Sequence, residues 1–227
     1  MNNTEKIKTA SLFECEVGYL KEFFERYDFP WEMISRIGEL ADELSARGIE
    51  GFSEISKVVL VGKDVKRSPL ATIIAPAIIG DGCEIRPGAF LRGSVITGKG
   101  CVIGNSSELK NCILLDSVAL PHYNYVGDSI LGNRVHMGAG AICSNLKSDG
   151  SNVVIRGDGI EQETSLRKLG ALIGDSVEIG CGCVLNPGAV IGKGSSVYPL
   201  SFIRGVIPDR CIVKNHPELF IAPRHNE

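Results

Sequence analysis

A chain of 227 residues with 44% hydrophobic and 22% charged side chains has an ordinary globular balance and enough length for a full core. Its formal net charge of −3 gives no ground for a nucleic-acid or anionic-membrane partner, though a local basic cluster still suffices for a small phosphate ester. The first residues, Met1 to Lys6, have no apolar signal core, and no run approaches the roughly 20 apolar residues of a membrane span, so a cytoplasmic protein is expected.

Residues 1–57 lack short periodicity and read as a small helical cap. Leu20, Phe23, Phe24 and Tyr27 fall at the spacing of an amphipathic helix, which Asp28-Phe29-Pro30 ends. Pro30 is placed to open a second helix, whose apolar face carries Ile34, Ile37, Ala41 and Leu44 and whose stop is Gly48. Phe23, Phe24 and Trp31 fit packing better than a ligand pocket. The eight cysteines are scattered, and Cys181-Gly182-Cys183 lacks redox or zinc spacing, so they read as small buried thiols.

Residues 58–215 follow a different rule. From Ile73 a large apolar residue recurs every sixth position with a small or branched residue four places later, as in Ile79 with Cys83, Ile103 with Ser107 and Ile191 with Ser195; fifteen such pairs can be counted. Six is neither a helical nor a simple strand period. A short fixed repeat means a solenoid whose units bury their apolar faces against their neighbours, and short strands joined at glycine-rich corners make it a parallel β-helix. The beat slips by one residue at Pro121-His122, where a side chain able to act as a base is delivered. Residues 146–170 interrupt the repeat with polar residues, the mark of a functional loop over a site or a neighbour. The repeat ends after Ile203, and Pro208, Pro217 and Pro223 favour an extended tail, with 216–227 beyond the solenoid.

The pattern [Ile/Leu/Val]-Gly-x-x-small-x resembles the hexapeptide-repeat acyltransferase superfamily. That resemblance implies a mainly β fold, a left-handed parallel β-helix of three hexads per turn, assembled as a homotrimer. Within the superfamily, Arg86-Pro87-Gly88-Ala89, Glu108-Leu109-Lys110, Pro121-His122-Tyr123-Asn124-Tyr125-Val126-Gly127-Asp128 and Gly138-Ala139-Gly140-Ala141-Ile142-Cys143-Ser144-Asn145 are most similar to the acetyltransferase half of the bifunctional glucosamine-1-phosphate acetyltransferase and uridylyltransferase. Related sugar-phosphate nucleotidylyltransferase/acetyltransferase proteins also match around Arg167-Lys168-Leu169-Gly170. No nucleotidyltransferase region precedes the repeats, so nucleotidyl transfer is not expected of this chain.

What the resemblance implies is acetyl transfer from acetyl-CoA to an amino-sugar phosphate or a nucleotide-linked amino sugar. His122 is the candidate base, Glu108 its orienting carboxylate, and the Ala139 backbone N–H the oxyanion donor. Arg86, Lys110 and either Arg167 or Lys168 are candidates for the acceptor phosphate, with Tyr125 and Asn145 as further acceptor contacts. Ala139, Cys181 and Pro199 are the candidate positions along the CoA groove. Two departures stand out: His136 replaces the usual asparagine, and Tyr198-Pro199-Leu200 puts a leucine where a glycine would leave the groove wider. His122 and His136 lack a third histidine, so no metal is expected for acetyl transfer. The alternative is a non-catalytic trimeric β-helix that binds a sugar nucleotide or docks a separate nucleotidylyltransferase through the cap.

Overall fold

The computed structural model describes residues 3–215, so the expected tail at 216–227 lies outside the described residues. Four short helices, α1 (Thr9–Leu12), α2 (Gly18–Arg26), α3 (Trp31–Ile34) and α4 (Ile37–Arg47), precede a parallel β-solenoid, the architecture a left-handed β-helix requires. Pro30 caps α3 and Gly48, at φ +74°, ends α4, as expected from the sequence. The second expected helix is two, broken at Ser35-Arg36. Among the described residues, no helix is long and apolar enough to cross a membrane.

The solenoid strands stack in three faces. The first, here the cap face, runs from Val59–Val61 through Ala77–Ile79 and Val95–Thr97 to Val206–Ile207. The second is an eight-stranded sheet from Lys66–Arg67 to Ile212–Val213. The third, the site face, carries Thr72–Ile74, Phe90–Arg92, the first halves of Glu108–Leu114 and Tyr125–Leu131, then Ile142–Cys143, Val184–Leu185 and Phe202–Ile203. Pairing at Val206–Ile207 and Ile212–Val213 carries the solenoid past Ile203, where the six-residue pattern stops being legible.

Side chains alternate across a strand, so one residue points inward and its neighbours outward. Leu91, Leu109, Leu120, Val126, Leu131 and Met137 fill the interior. On the cap face the outward residues are apolar as well: Leu60, Ile78, Ile96, Ile113, Ile130, Leu172 and Val190 pack with Leu12, Leu20, Phe24, Ile34, Ile37 and Leu44 of the helices. Buried on both sides, these strands read as apolar triplets such as Ala77-Ile78-Ile79. Each such side chain contributes about 1.5–3 kcal/mol, an upper figure, so the cap is an integral wall of the fold. Polar ties reinforce it: Asn133 Nδ2 donates to Glu14 O at 2.8 Å, and Glu14 N donates to Asp175 Oδ2 at 2.9 Å.

Phe23, Phe24 and Trp31 are buried in this cluster, and Trp31 stacks on Phe29 with ring centroids 4.5 Å apart. All eight cysteines are free, but only five are buried; Cys181 is exposed and Cys15 and Cys211 are half-buried, which corrects the uniform reading of buried thiols.

The slip in the repeat is not at Pro121-His122. Those residues are in register, with His122 paired to Asn105. Rungs of the cap face are 18 residues apart up to Val95, then 17 apart from Val95 to Cys112 and from Cys112 to Ser129. The missing residue lies at the corner between the site face and the cap face, where Gly93-Ser94 on one rung is answered by Asn111 alone on the next and Asp128 alone on the one after. Asn111 and Asp128 both take left-handed backbone, φ +48° and +47°, which asparagine and aspartate tolerate best after glycine.

The excursion at 146–170 folds back on its own chain. Its hairpin, Val154–Gly157 with Ile160–Glu163, buries Val153, Ile155 and Ile160 in the second apolar cluster, and Lys6 pairs with Asp158 at 2.6 Å.

Candidate active site

Four of the expected residues fall in one column along the edge between the second face and the site face. The N–H of Tyr123 donates to Asn105 O, that of Gly140 to His122 O, that of Gly182 to Ala139 O and that of Leu200 to Cys181 O, at 2.8–3.1 Å. His122, Ala139, Cys181 and Pro199 therefore occupy equivalent places on successive rungs. The His122 side chain is exposed among the described residues. Its bend is fixed from inside: Asn124, 2% exposed, accepts from His122 N at 3.2 Å and donates to Gly138 O and Ala141 O at 2.8 and 3.2 Å. The N–H of Ala139 donates to no backbone carbonyl among the described residues.

The next position along this edge is left-handed on every rung, with Tyr123 at φ +52°, Gly140 at +72°, Gly182 at +66° and Leu200 at +60°. Glycine meets that demand freely and leucine does not. A Cβ on Gly182 would lie 2.9 Å from Leu200 Cδ2, so the leucine leans along the column over its glycine neighbour, as the departure from the family pattern suggests. Both Leu200 and Tyr198 are exposed.

The second cluster is centred on Asp128, only 4% exposed. Its carboxylate accepts from Asn111 Nδ2 at 2.8 Å and from Asn145 Nδ2, and Lys110 Nζ stands 3.8 Å away. Asn145 Nδ2 also donates to the Tyr125 hydroxyl at 3.2 Å. Burial first, then the Asp128 and Glu108 charges, raise the Tyr125 pKa, so the phenol keeps its proton as a donor. The shortened corner thus brings together Lys110, Tyr125 and Asn145, three residues the sequence pointed to separately. The short strand pitch explains it, since Glu108, Tyr125 and Ile142 are direct neighbours on successive rungs.

Other expected residues stand differently. Glu108 holds Arg92 Nη1 at 2.5 Å; the structure records no bond from it to His122, so its orienting role is not seen within one chain. Arg86 is held by Glu84 at 3.0 Å, away from the Asp128 cluster. That hydrogen bond, followed by the nearby guanidinium charge, lowers the Glu84 pKa. Arg167 and Lys168 are exposed in the excursion; the Arg167 guanidinium lies by Gly150, and the backbone of Lys168 bridges Leu146, next to Asn145. His136 Nδ1 pairs with Glu178 Oε2 at 2.9 Å on the second face. Among the described residues no three His, Cys, Asp or Glu side chains gather as metal ligands would. Sequence reasoning gave no role to Arg92, Asn124 or Asp128. The last two lie inside a quoted motif, and that motif was the available signal.

Comparison with known proteins gives the same likeness. The family description "GMPPB C-terminal domain" matches residues 73–167. The chain is 30% identical over 211 residues to the bifunctional protein GlmU of Methanococcus maripaludis, covering 91% of this chain and 51% of that protein. It is 32% identical over 174 residues to a bifunctional sugar-1-phosphate nucleotidylyltransferase/acetyltransferase of Sulfurisphaera tokodaii, covering 75% and 43%. The chain spans about half the length of the curated relatives it matches. Among solved structures, the acetyltransferase domain of PglB from Neisseria gonorrhoeae in complex with acetyl coenzyme A aligns over 77% of this chain and 60% of that one, at 20% identity and a TM-score of 0.35.

Proposed function

We propose that this chain is an acetyl-CoA-dependent N-acetyltransferase acting on an amino sugar that carries a phosphate or a nucleotide. The observation that carries the reading is the column of His122, Ala139, Cys181 and Pro199 on successive rungs, one face away from the Lys110, Tyr125 and Asn145 cluster on Asp128. The column offers a base, a backbone N–H and a track for an extended thioester arm. The cluster offers a cation and two hydrogen-bonding groups for a sugar phosphate. The relative named a bifunctional sugar-1-phosphate nucleotidylyltransferase/acetyltransferase supports the assignment.

The amine nitrogen of the acceptor attacks the thioester carbonyl, forming the C–N bond as His122 takes the amine proton. The Ala139 N–H holds the negative oxygen of the tetrahedral intermediate. The C–S bond then breaks, and the departing thiolate receives a proton from the imidazolium. Lys110 holds the acceptor phosphate as a point charge kept in place by Asp128, and Tyr125 and Asn145 orient the sugar. The exposed His122 is completed by a second copy in a trimer, whose edge brings the missing wall of the cleft. Glu108 would then orient His122 only after exchanging Arg92 for the ring.

The test is release of CoA thiol from acetyl-CoA on addition of glucosamine 1-phosphate, and in parallel of a nucleotide-linked amino sugar. Turnover with either is expected, and a loss of about 10²–10⁴-fold in His122→Ala, the range typical of general acid–base catalysis. Absence of turnover with both acceptors, or a His122→Ala rate equal to the parent, sinks the reading.

A further inference from the structure

Beyond the column and the Asp128 cluster, a sizeable concavity lies farther along the same face, between the excursion and the later rungs. It encloses about 460 Å³, a size common for small-molecule sites. Three cations line it, Lys147, Arg156 and Arg204, against the single carboxylate of Asp149. Lys147 is shared with Asp149 at 3.5 Å and Arg156 with Glu161 at 2.8 Å. Arg204 has no ion pair or side-chain hydrogen bond among the described residues, which leaves an uncompensated guanidinium facing a polar cavity.

Phe202 stands at the mouth with 69% of its surface exposed. It is two residues before Arg204, which directly follows the strand Phe202–Ile203, and both residues line the cavity. An exposed ring next to a free guanidinium matches a ligand with a flat heterocycle at one end and a phosphate chain beside it. Ser144 also lines the cavity, and its chain neighbour is Asn145 of the acceptor cluster. From Tyr125 to Phe202 is three rungs, through Ile142 and Val184, or about 14 Å at strand spacing. One extended ligand can reach from the cluster to the cavity.

We infer that the cavity between the excursion and the rungs of Asn186 and Arg204 is a nucleoside-diphosphate subsite, with the base on Phe202 and the phosphates on Arg204, Arg156 and Lys147. Two molecules of the proposed reaction present that chemistry: a nucleotide-linked acceptor, and the adenosine end of the acyl donor. The inference rests on the acetyl-transfer reading for its sources, and its binding measurement does not depend on turnover.

The experiment is calorimetric titration of the full chain with UDP, ADP, CoA and inorganic pyrophosphate, using the parent, Arg204→Ala, Arg204→Lys and Phe202→Ala. Both side chains are exposed, and an unchanged circular dichroism spectrum verifies the fold. At least one nucleotide should bind more tightly than pyrophosphate, Arg204→Ala should weaken it tenfold or more, Arg204→Lys should lose less, and Phe202→Ala should erase the preference over pyrophosphate. Rates then separate the sources. A penalty in Arg204→Ala seen with acetyl-CoA but not with acetylpantetheine assigns the site to the donor. One seen with a nucleotide-linked acceptor but not with glucosamine 1-phosphate assigns it to the acceptor. Nucleotides binding no better than pyrophosphate, or binding Arg204→Ala as they bind the parent, overturns the subsite even if acetyl transfer proceeds. Arg204-dependent binding without any transfer keeps the subsite and removes the enzyme reading.

Discussion

Replacing Asp128 by alanine should be among the most damaging single changes near the candidate site, for both stability and acceptor binding. The carboxylate is 4% exposed and satisfies the Asn111 amide at 2.8 Å and the Asn145 amide, with the Lys110 ammonium at 3.8 Å. Hydrogen bonds to a charged group contribute about 1.5–3 kcal/mol each, and the half-buried amides left behind keep only their bonds to Ile34 O and the Tyr125 hydroxyl. The sum is about 3–6 kcal/mol, a large part of the 5–15 kcal/mol that holds a typical domain together. Asp128→Asn keeps the shape, loses the charge and turns one donor against another, so it should cost about 1–3 kcal/mol. Urea unfolding followed by circular dichroism measures both. The double variant with Asn111→Ala should show a coupling of at least 0.5 kcal/mol, because the two side chains touch. In turnover assays the Asp128→Asn protein should show a raised KM for the acceptor and an unchanged KM for acetyl-CoA. If Asp128→Ala costs less than about 1 kcal/mol, the claim that this carboxylate organises the cluster is wrong.

Three further changes probe other parts of the argument. Leu200→Gly removes a leucine from left-handed backbone at φ +60° and clears the edge above Gly182, so it should leave stability within about 1–2 kcal/mol of the parent and lower the KM for acetyl-CoA; a raised KM would mean the leucine grips the donor. Ile96→Ala, at a fully buried position between solenoid and cap, should cost about 2–5 kcal/mol in urea unfolding, and a cost under 1 kcal/mol would mean that the cap is not packed there. Glu14 has its pKa lowered by the hydrogen bond from Lys193 and then by the charge of that lysine. Its stabilising contribution is therefore complete above the unfolded value of about 4.3 and is lost as pH falls through the lower folded value. The urea midpoint should fall in that acid window, and by less in Glu14→Gln; identical acid profiles would remove the pair from the account.

The six-residue period was enough to read the coil, because interior volume admits a large side chain at one place per hexad and a small one at the corner. The same pattern cannot locate a missing residue between two hexads. Ile113-Leu114-Leu115 are all large and apolar, so the repeat can be continued in more than one phase through them; the structure puts Leu114 inside and turns Ile113 and Leu115 toward the cap. A count that keeps Leu115 inside carries the error forward to Pro121-His122. The places of His122 and Ala139 do not depend on that count, because both lie in matched motifs; Cys181 and Pro199 fall into the same column through the backbone bonds of the later rungs. Ion-pair partners were not legible at all. Glu108 meets Arg92 across one rung and Arg86 meets Glu84 within one, and only the coil pitch, absent from the sequence, decides such choices.

The apolar triplets of the cap face also bear on what residues 3–52 are for. A solenoid strand exposed to water needs one apolar residue in each pair, whereas Ile78, Ile96, Ile113 and Ile130 demand a cover. The helices supply it, and the exposed large apolar residues of the described chain all lie at or beyond Ile55, so the apolar stripes of α2 and α4 are already occupied. A docking role for the cap would have to use its polar surface. The cap reaches the candidate site by another route: Asn111 Nδ2 donates both to Ile34 O at 3.1 Å, just past the end of the apolar seam, and to Asp128. A carbonyl of α3 thereby helps to fix the amide that fixes the carboxylate beneath Lys110 and Asn145. The helical segment is thus part of the frame on which the Asp128 cluster is built, and, on the proposed function, loosening the seam at Ile96 should disturb acceptor binding before it unfolds the solenoid.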